Sequence, residues 1–148
     1  MVNAYIGLGS NLDNPIEHIH QAVEDLKTLP KSQLILASKL YLSKPVGPQD
    51  QDDFINSVVM LETTLEPLAL LDHLQAIEQS HQRVRKRHWG PRTLDLDLLL
   101  FGDLSIQNAR LTVPHTEINN RDFVIGPLYE LCPELALPNG TKIQDLLQ

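Results

Sequence analysis

Two aspartates stand at alternate positions inside an apolar run, the segment TLDLDLLLF at residues 93–101. In a strand, residues i and i+2 point to one side. Asp95 and Asp97 therefore share a face, while Leu94, Leu96 and Leu98 share the other. Two close carboxylates repel unless positive charge sits beside them. Mg²⁺ suits that place, because it takes oxygen ligands, keeps several waters, and is held by one or two carboxylates together with substrate phosphates. The approach to the pair is basic: five of the twelve lysines and arginines fall between Arg83 and Arg92. Arg83, Arg85, Lys86 and Arg92 are candidates to clamp those phosphates. The alternative is a solvated strand face preceded by an ordinary polar loop.

The elements that must position this pair are legible upstream. VNAYIGLG (2–9) reads as a buried strand. In the following segment Asn14 can cap, Pro15 suits the first helical position, and Glu17 completes a capping-box spacing. Ile16, Ile19, Val23, Leu26 and Leu29 then recur at helical spacing. SQLILASKLYLS (32–43) alternates Leu34, Leu36, Leu40 and Leu42 on one face, which predicts one continuous strand. FINSVVMLETT (54–64) is rich in β-branched residues and predicts another. Pro67 opens a helix with Leu68, Leu71, Leu74 and Ile77 on its apolar face. The aspartate segment is the fourth strand, closed by a Gly-Asp turn.

The order β-α-β-β-α-β predicts an α+β, ferredoxin-like core: an antiparallel sheet with both helices on one face. The leucine side of the fourth strand then meets the helices, and the aspartate side is helix-free. C-terminal additions follow: extended segments at LSIQ and RLTVPH, a helix starting at Pro127, and a last capping box at Thr141 and Gln144.

Composition bounds the function. The chain has 148 residues, 42% of them apolar, which fits a single domain over 1–148 with a real core. Its net charge of −7 argues against nucleic-acid binding through a global basic field. The same element order serves RNA-recognition modules, which stack bases on aromatics of the central strands. Here the first strand offers Tyr5 and the third Phe54, with no basic-aromatic string beside them. Cys132 is the single cysteine, so no internal disulfide forms, and a reducing cytoplasm fits. No apolar run reaches the roughly 20 residues of a membrane span. GLGSNL (7–12) begins like a dinucleotide fingerprint but lacks its third glycine. Gly7 and Gly9 either close the strand tightly or let a ligand approach.

Five stretches carry a family resemblance: GSNL, GPQDQDDFINSVV, RVRKRHWGPRTLDLDLLLFGD, LTVPH and NRDFVIGPLYELCPEL. Their order and spacing resemble the 6-hydroxymethyl-7,8-dihydropterin pyrophosphokinases along almost the whole chain. The resemblance implies an ATP-dependent diphosphokinase of folate biosynthesis that works as a cytoplasmic monomer on small molecules, with no nucleic-acid or membrane partner. It transfers a pyrophosphoryl group from ATP to the pterin hydroxymethyl oxygen and releases AMP. Asp95 and Asp97 match the pair that holds two Mg²⁺ ions, and Arg83 and Arg92 match the arginines on the triphosphate. Further ATP contacts are implied at Gln75, Glu78, Arg85, Lys86, Arg110, Thr112, His115 and Arg121. Trp89 and Phe123 match two aromatics that sandwich the pterin ring, and Asn56 matches the amide on its polar edge. Ser43, Lys44, Val46 and Phe54 fall on the same pocket. Phe54 stands where some members carry tyrosine, and Thr116 where an aromatic hydroxyl is common.

Overall fold

The structure is a computed structural model and describes residues 1–11, 14–43, 53–81, 93–116, 118 and 122–147, with the backbone alone at 122 and 123. Its strands are β1 (Val2–Ser10), β2 (Ser32–Ala37), β3 (Tyr41–Ser43), β4 (Phe54–Thr63), β5 (Asp95–Phe101), β6 (Ile106–Gln107) and β7 (Thr112–Val113). The helices are α1 (Pro15–Lys27), α2 (Pro67–Ser80) and α3 (Asp122–Leu131). The main sheet runs β2-β4-β1-β5, with β3 also on β4, and its pairings are antiparallel. This is the expected ferredoxin-like order.

The sheet buries both faces, but unequally. On one face Ala4, Ile6 and Leu8 of β1 join Val59 and Leu61 of β4 and Leu96 and Leu98 of β5. Ile19, Ala22 and Leu26 of α1 and Leu70, Leu71, Leu74 and Ile77 of α2 pack on them. On the other face Tyr5, Val58, Leu99 and Leu100 meet Val124, Ile125 and Leu128 of α3. That face is therefore not helix-free; α3 covers half of it. Tyr5 is 5% exposed beneath α3, so it offers no stacking platform for a base. Burial, with Cys132 beside it, pushes its hydroxyl up to about 12.

A β-bulge explains how both faces are served. The β1 register steps from Tyr5 opposite Leu100 to Ile6 opposite Leu98, leaving Leu99 as the extra residue. Leu99 and Leu100 thus both point toward α3. A second bulge, between Leu34 and Leu36, lies inside β2, and the predicted strand 32–43 breaks farther on, between Ala37 and Tyr41. Its alternation fails with it: Leu34 packs on the core, but Leu36, Leu40 and Leu42 are exposed.

Three helix starts differ from the capping patterns. Asn14 precedes α1 with φ 64° and makes no side-chain cap bond, although Pro15 does open the helix. Capping needs extended backbone at that residue, and the left-handed conformation withdraws the side chain. Pro127 lies inside α3 rather than at its start. The lost N–H bond costs stability, but Ile125 and Leu128 on either side are fully buried against the sheet. At the C-terminus the helix is a single 3₁₀ turn, Ile143–Leu146, preceded by Lys142. Thr141 instead gives its carbonyl to the Leu137 N–H at 2.8 Å, in a chain reversal through Gly140.

The Gly-Asp turn after β5 forms as expected. Gly102 has φ +56°, and a Cβ there would stand 3.0 Å from Val2 Cγ1. Gly102→Ala is expected to cost about 1–2 kcal/mol, the usual strain of a side chain in left-handed backbone. The midpoint of urea unfolding should fall, with an unchanged slope.

The histidines on the helices are not all surface residues. His81, after α2, is 8% exposed. Its Nδ1 lies 2.7 Å from His18 Nδ1 and its Nε2 lies 3.2 Å from Asp25 Oδ2. The chain of contacts ties α1 to the end of α2. Nothing in the α2 pattern marks His81, but His18 and Asp25 sit seven residues apart and so share one face of α1.

Candidate active site

The half of the second face that α3 leaves uncovered is built from one rung of three strands. Gly9 of β1 pairs with Asn56 of β4 on one side and with Asp95 of β5 on the other. Directly paired residues present their side chains to the same face. Asn56 and Asp95 therefore flank a residue with no side chain, across about 10 Å of sheet at ~4.8 Å per strand. One step toward α3, Gly7 pairs with Val58 and with Asp97.

On the β5 side, Asp95 and Asp97 are both half-exposed. His115 Nε2 is 4.0 Å from Asp97 Oδ1. Its backbone N–H donates to the Leu99 carbonyl at 3.0 Å, which fastens the loop after β7 to the free edge of β5. Glu78 of α2 accepts from the Leu96 N–H at 2.8 Å. That bond falls on the residue between the two aspartates, so Glu78 fixes the strand that aims them. Ser10 Oγ donates to the Thr93 carbonyl and holds the approach to β5 against β1. Sequence patterns did not single out Ser10; between Gly9 and Asn11 it has the look of a turn residue, although it is buried.

Glu78→Ala should free the Leu96 N–H at the strand edge and cost about 1–2 kcal/mol. Turnover should fall roughly ten- to a hundredfold through misplacement of the aspartates. Glu78→Gln keeps an acceptor and should retain most activity. Steady-state kinetics and thermal melts of the two variants check this.

Beside the same edge, Arg110 Nη2 is 2.6 Å from Asp72 Oδ1 and donates to Gln75 Oε1 at 3.1 Å. Thr112 lies exposed on β7. Glu78 and His115 thus meet β5 at the aspartates, while Arg110 and Gln75 of α2 contact each other and Thr112 pairs with Gln107.

On the β4 side, Asn56 is 5% exposed. Its Nδ2 donates to Ser43 Oγ at 2.7 Å and reaches the Tyr41 and Phe54 carbonyls at 3.4 and 3.5 Å. Its Oδ1 lies 3.3 Å from where a Gly9 Cβ would stand. Phe54 Cδ1 is 3.8 Å from the same point. Tyr41 holds β3 to α3 by donating to Glu130 Oε1, and that bond pushes its hydroxyl up to about 12.

Of the residues expected at the site, Lys44, Val46, Arg83, Arg85, Lys86, Trp89, Arg92, Arg121 and the side chain of Phe123 lie outside the described residues. The others fall into two groups on either side of Gly9: Ser43, Phe54 and Asn56 on β3 and β4, and the acidic and edge residues around β5.

Among the described residues no three His, Cys, Asp or Glu side chains form a cage for a metal. The donor set fits Mg²⁺ all the same. That ion takes carboxylate oxygens, and one or two carboxylates suffice when phosphates and water complete the shell. Asp95 and Asp97 supply two carboxylates, on one face and open to solvent.

Residues 5–133 match the family model for 7,8-dihydro-6-hydroxymethylpterin-pyrophosphokinase, HPPK. The chain belongs to the HPPK family. A 2-amino-4-hydroxy-6-hydroxymethyldihydropteridine pyrophosphokinase of Haemophilus influenzae is 52% identical over 148 residues, covering 100% of this chain and 92% of that protein. Its counterpart in Pseudomonas aeruginosa is 50% identical over 143 residues, 97% of this chain and 88% of that one. The fold agrees with a crystal structure of Plasmodium falciparum HPPK-DHPS, with a TM-score of 0.72 at 15% identity. The match covers 99% of this chain and 43% of that fused one, so the present chain corresponds to less than half of it. Within the HPPK family, three of the sequence segments that carried the resemblance build the rung: GS ends β1, FINSVV begins β4, and DLD begins β5.

Proposed function

We infer that this chain carries the activity for which its family is named. It transfers a pyrophosphoryl group from ATP to the hydroxymethyl oxygen of 6-hydroxymethyl-7,8-dihydropterin, in folate biosynthesis. The observation that supports it best is the Asn56-Gly9-Asp95 rung. A neutral amide and an acidic pair face one another across a bare strand, as a pterin and a polyphosphate would require.

In the reaction the pterin hydroxyl oxygen bonds to the β-phosphorus of ATP. The bridging bond to the α-phosphate breaks, AMP leaves, and the hydroxyl proton is lost. Asp95 and Asp97 would hold two Mg²⁺ ions against the phosphates. Bound there, the ions would neutralise phosphate charge and draw both substrates to one place. His115, near Asp97, would face the same phosphates, as would Arg110 and Gln75 once their mutual contact opens. Thr112 and Glu78 border that edge. Arg83 and Arg92 would carry the charge that develops on the leaving AMP oxygen, with Arg85, Lys86 and Arg121 on the nucleotide.

Asn56 would read the polar edge of the pterin, with Ser43 orienting its amide. Trp89 and Phe123 would clamp the ring faces, and Phe54, Lys44 and Val46 would close the pocket. One domain over 1–148 would suffice, acting as a monomer in the cytoplasm. No described helix is long and apolar enough to cross a membrane.

The test is to incubate the protein with ATP, Mg²⁺ and the pterin and identify the nucleotide product. AMP together with pterin diphosphate supports the reading. ADP would mean transfer of a single phosphoryl group, and no turnover would remove the activity altogether.

A further inference from the structure

His81 follows α2 and stands two residues before Arg83, the first of the arginines expected on the triphosphate. Its backbone N–H donates to the Glu78 carbonyl at 3.1 Å and closes the last turn. Its side chain is 5% exposed. A ring buried that far must have its nitrogens satisfied, and both are satisfied from α1. Nε2 lies 3.2 Å from Asp25 Oδ2, and Nδ1 lies 2.7 Å from His18 Nδ1. A carboxylate accepts and does not donate, so the proton sits on His81 Nε2. In the neutral ring Nδ1 is then the acceptor, and His18 Nδ1 donates to it. The packing of α2 does not require this tie, because Leu70, Leu71, Leu74 and Ile77 already bury its apolar stripe. The tie lies instead at the root of residues 82–92, which carry Arg83, Arg85, Lys86, Trp89 and Arg92. At the far end of that segment Thr93 is 6% exposed, and its carbonyl accepts from Ser10 Oγ. His81 and Thr93 line one cavity together with His18 and Asp25. The basic segment therefore leaves and re-enters the fold at one place, pinned to α1 where it leaves and to β1 where it returns.

We propose that His81 is a positioning residue for the nucleotide. Gripped by His18 and Asp25, it fixes the point at which the chain leaves α2, and with it the origin from which Arg83 reaches the phosphates. His81 itself touches no substrate. The proposal rests on the pyrophosphokinase reading, which puts Arg83 on ATP. A displacement of about 1 Å at such an origin is enough to weaken a clamp built beyond it. Arg83 follows His81 by two residues, whereas Trp89, expected on the pterin ring, follows by eight and precedes Thr93 by four. Loosening the His81 end therefore falls on the nucleotide before the pterin.

The experiment compares wild type, His18→Leu and His18→Asn. Turnover of the wild type to AMP comes first; its absence refutes the pyrophosphokinase reading, and the proposal is then judged by nucleotide binding alone. A wild type that binds no nucleotide overturns both. Leucine removes the donor to His81 Nδ1. Asparagine carries an amide nitrogen near the position of the histidine Nδ1 and restores a donor. His18→Leu should bind α,β-methylene-ATP with Mg²⁺ about five- to tenfold more weakly, the scale of one lost hydrogen bond. Its pterin affinity should stay within about twofold of wild type. His18→Asn should bind both ligands within about twofold of wild type. A purely structural contact would give neither this split nor its rescue. Unchanged nucleotide affinity in His18→Leu, equal losses of both ligands, or no recovery in His18→Asn overturns the proposal. Should His18→Leu not fold, Asp25→Ala takes its place. It releases His81 Nε2 instead and should show the same preferential loss of nucleotide; equal losses or none sink the idea.

Discussion

Asp97→Ala is expected to lose pyrophosphoryl transfer and keep the fold. Asp97 is 44% exposed at its side chain, and His115 Nε2 lies 4.0 Å from its Oδ1. Little packing is lost when it goes. Its β1 partner is Gly7, so no cross-strand side-chain contact breaks. Removal also relieves repulsion from Asp95, and the melting temperature should hold or rise slightly. Catalysis is another matter. With one carboxylate left, the strand offers Mg²⁺ a single protein ligand, and the phosphates lose charge compensation worth several kcal/mol. Turnover should fall by about 10³-fold or more, since each 1.36 kcal/mol is a factor of ten. Asp97→Asn keeps the shape and not the charge, and should fall nearly as far. Chelation of Mg²⁺ in the wild type should give the same loss, reversed by adding the ion back. Retention of turnover within tenfold in Asp97→Ala would take the metal away from this strand.

The sheet and the site were legible to different depths. β1, β4, α2 and β5 could be read because each carries one strong signal: a short apolar run, β-branched residues, a leucine stripe opened by proline, and an alternation broken by acids. The β2–β3 segment misled because Leu34, Leu36, Leu40 and Leu42 keep a period of two on paper. The bulge turns Leu36 to the face opposite Leu34, and a further register step between Ala37 and Tyr41 turns Leu42 back again. Leu98, Leu99, Leu100 and Phe101 hid the bulge in β5 for the opposite reason. All four are apolar, and a strand covered on both faces has no period to read. α3 was misplaced because Pro127 usually marks a helix start, and packing against Tyr5 and Val58 overrode that preference.

At the site, the aspartate pair was visible because acids interrupt an apolar strand. Asn56 was visible as an amide among Val and Ile. The role of Glu78 as a brace for Leu96 was not, because a backbone partner leaves no mark on sequence. Gly9 could not be separated from Gly7, because what differs is Leu99, which the bulge sets over Gly7.

Asn56 gives the other large effect, and three variants separate its two duties. Its Nδ2 binds within the protein, to Ser43 Oγ at 2.7 Å, while its Oδ1 lies beside Gly9. Asn56→Ala removes both. Losing the Ser43 bond should cost about 1 kcal/mol of stability. Losing the acceptor leaves a pterin donor desolvated without a partner, at about 1–3 kcal/mol, so the pterin KM should rise roughly ten- to a hundredfold. Affinity for α,β-methylene-ATP should barely move, since Asn56 is two strands from the aspartates. Asn56→Asp keeps an oxygen beside Gly9 but replaces the donor with a second oxygen. That oxygen would face the Tyr41 and Phe54 carbonyls at 3.4 and 3.5 Å, so this variant should lose more stability than alanine does. Asn56→Ser, short of both partners, should follow alanine. The order of stability, wild type above alanine above aspartate, tests the assignment of the amide. The split between pterin and nucleotide affinity tests the site. Were the alanine variant to lose both substrates equally, Asn56 would be a brace for the β3–β4 edge and no part of ring recognition.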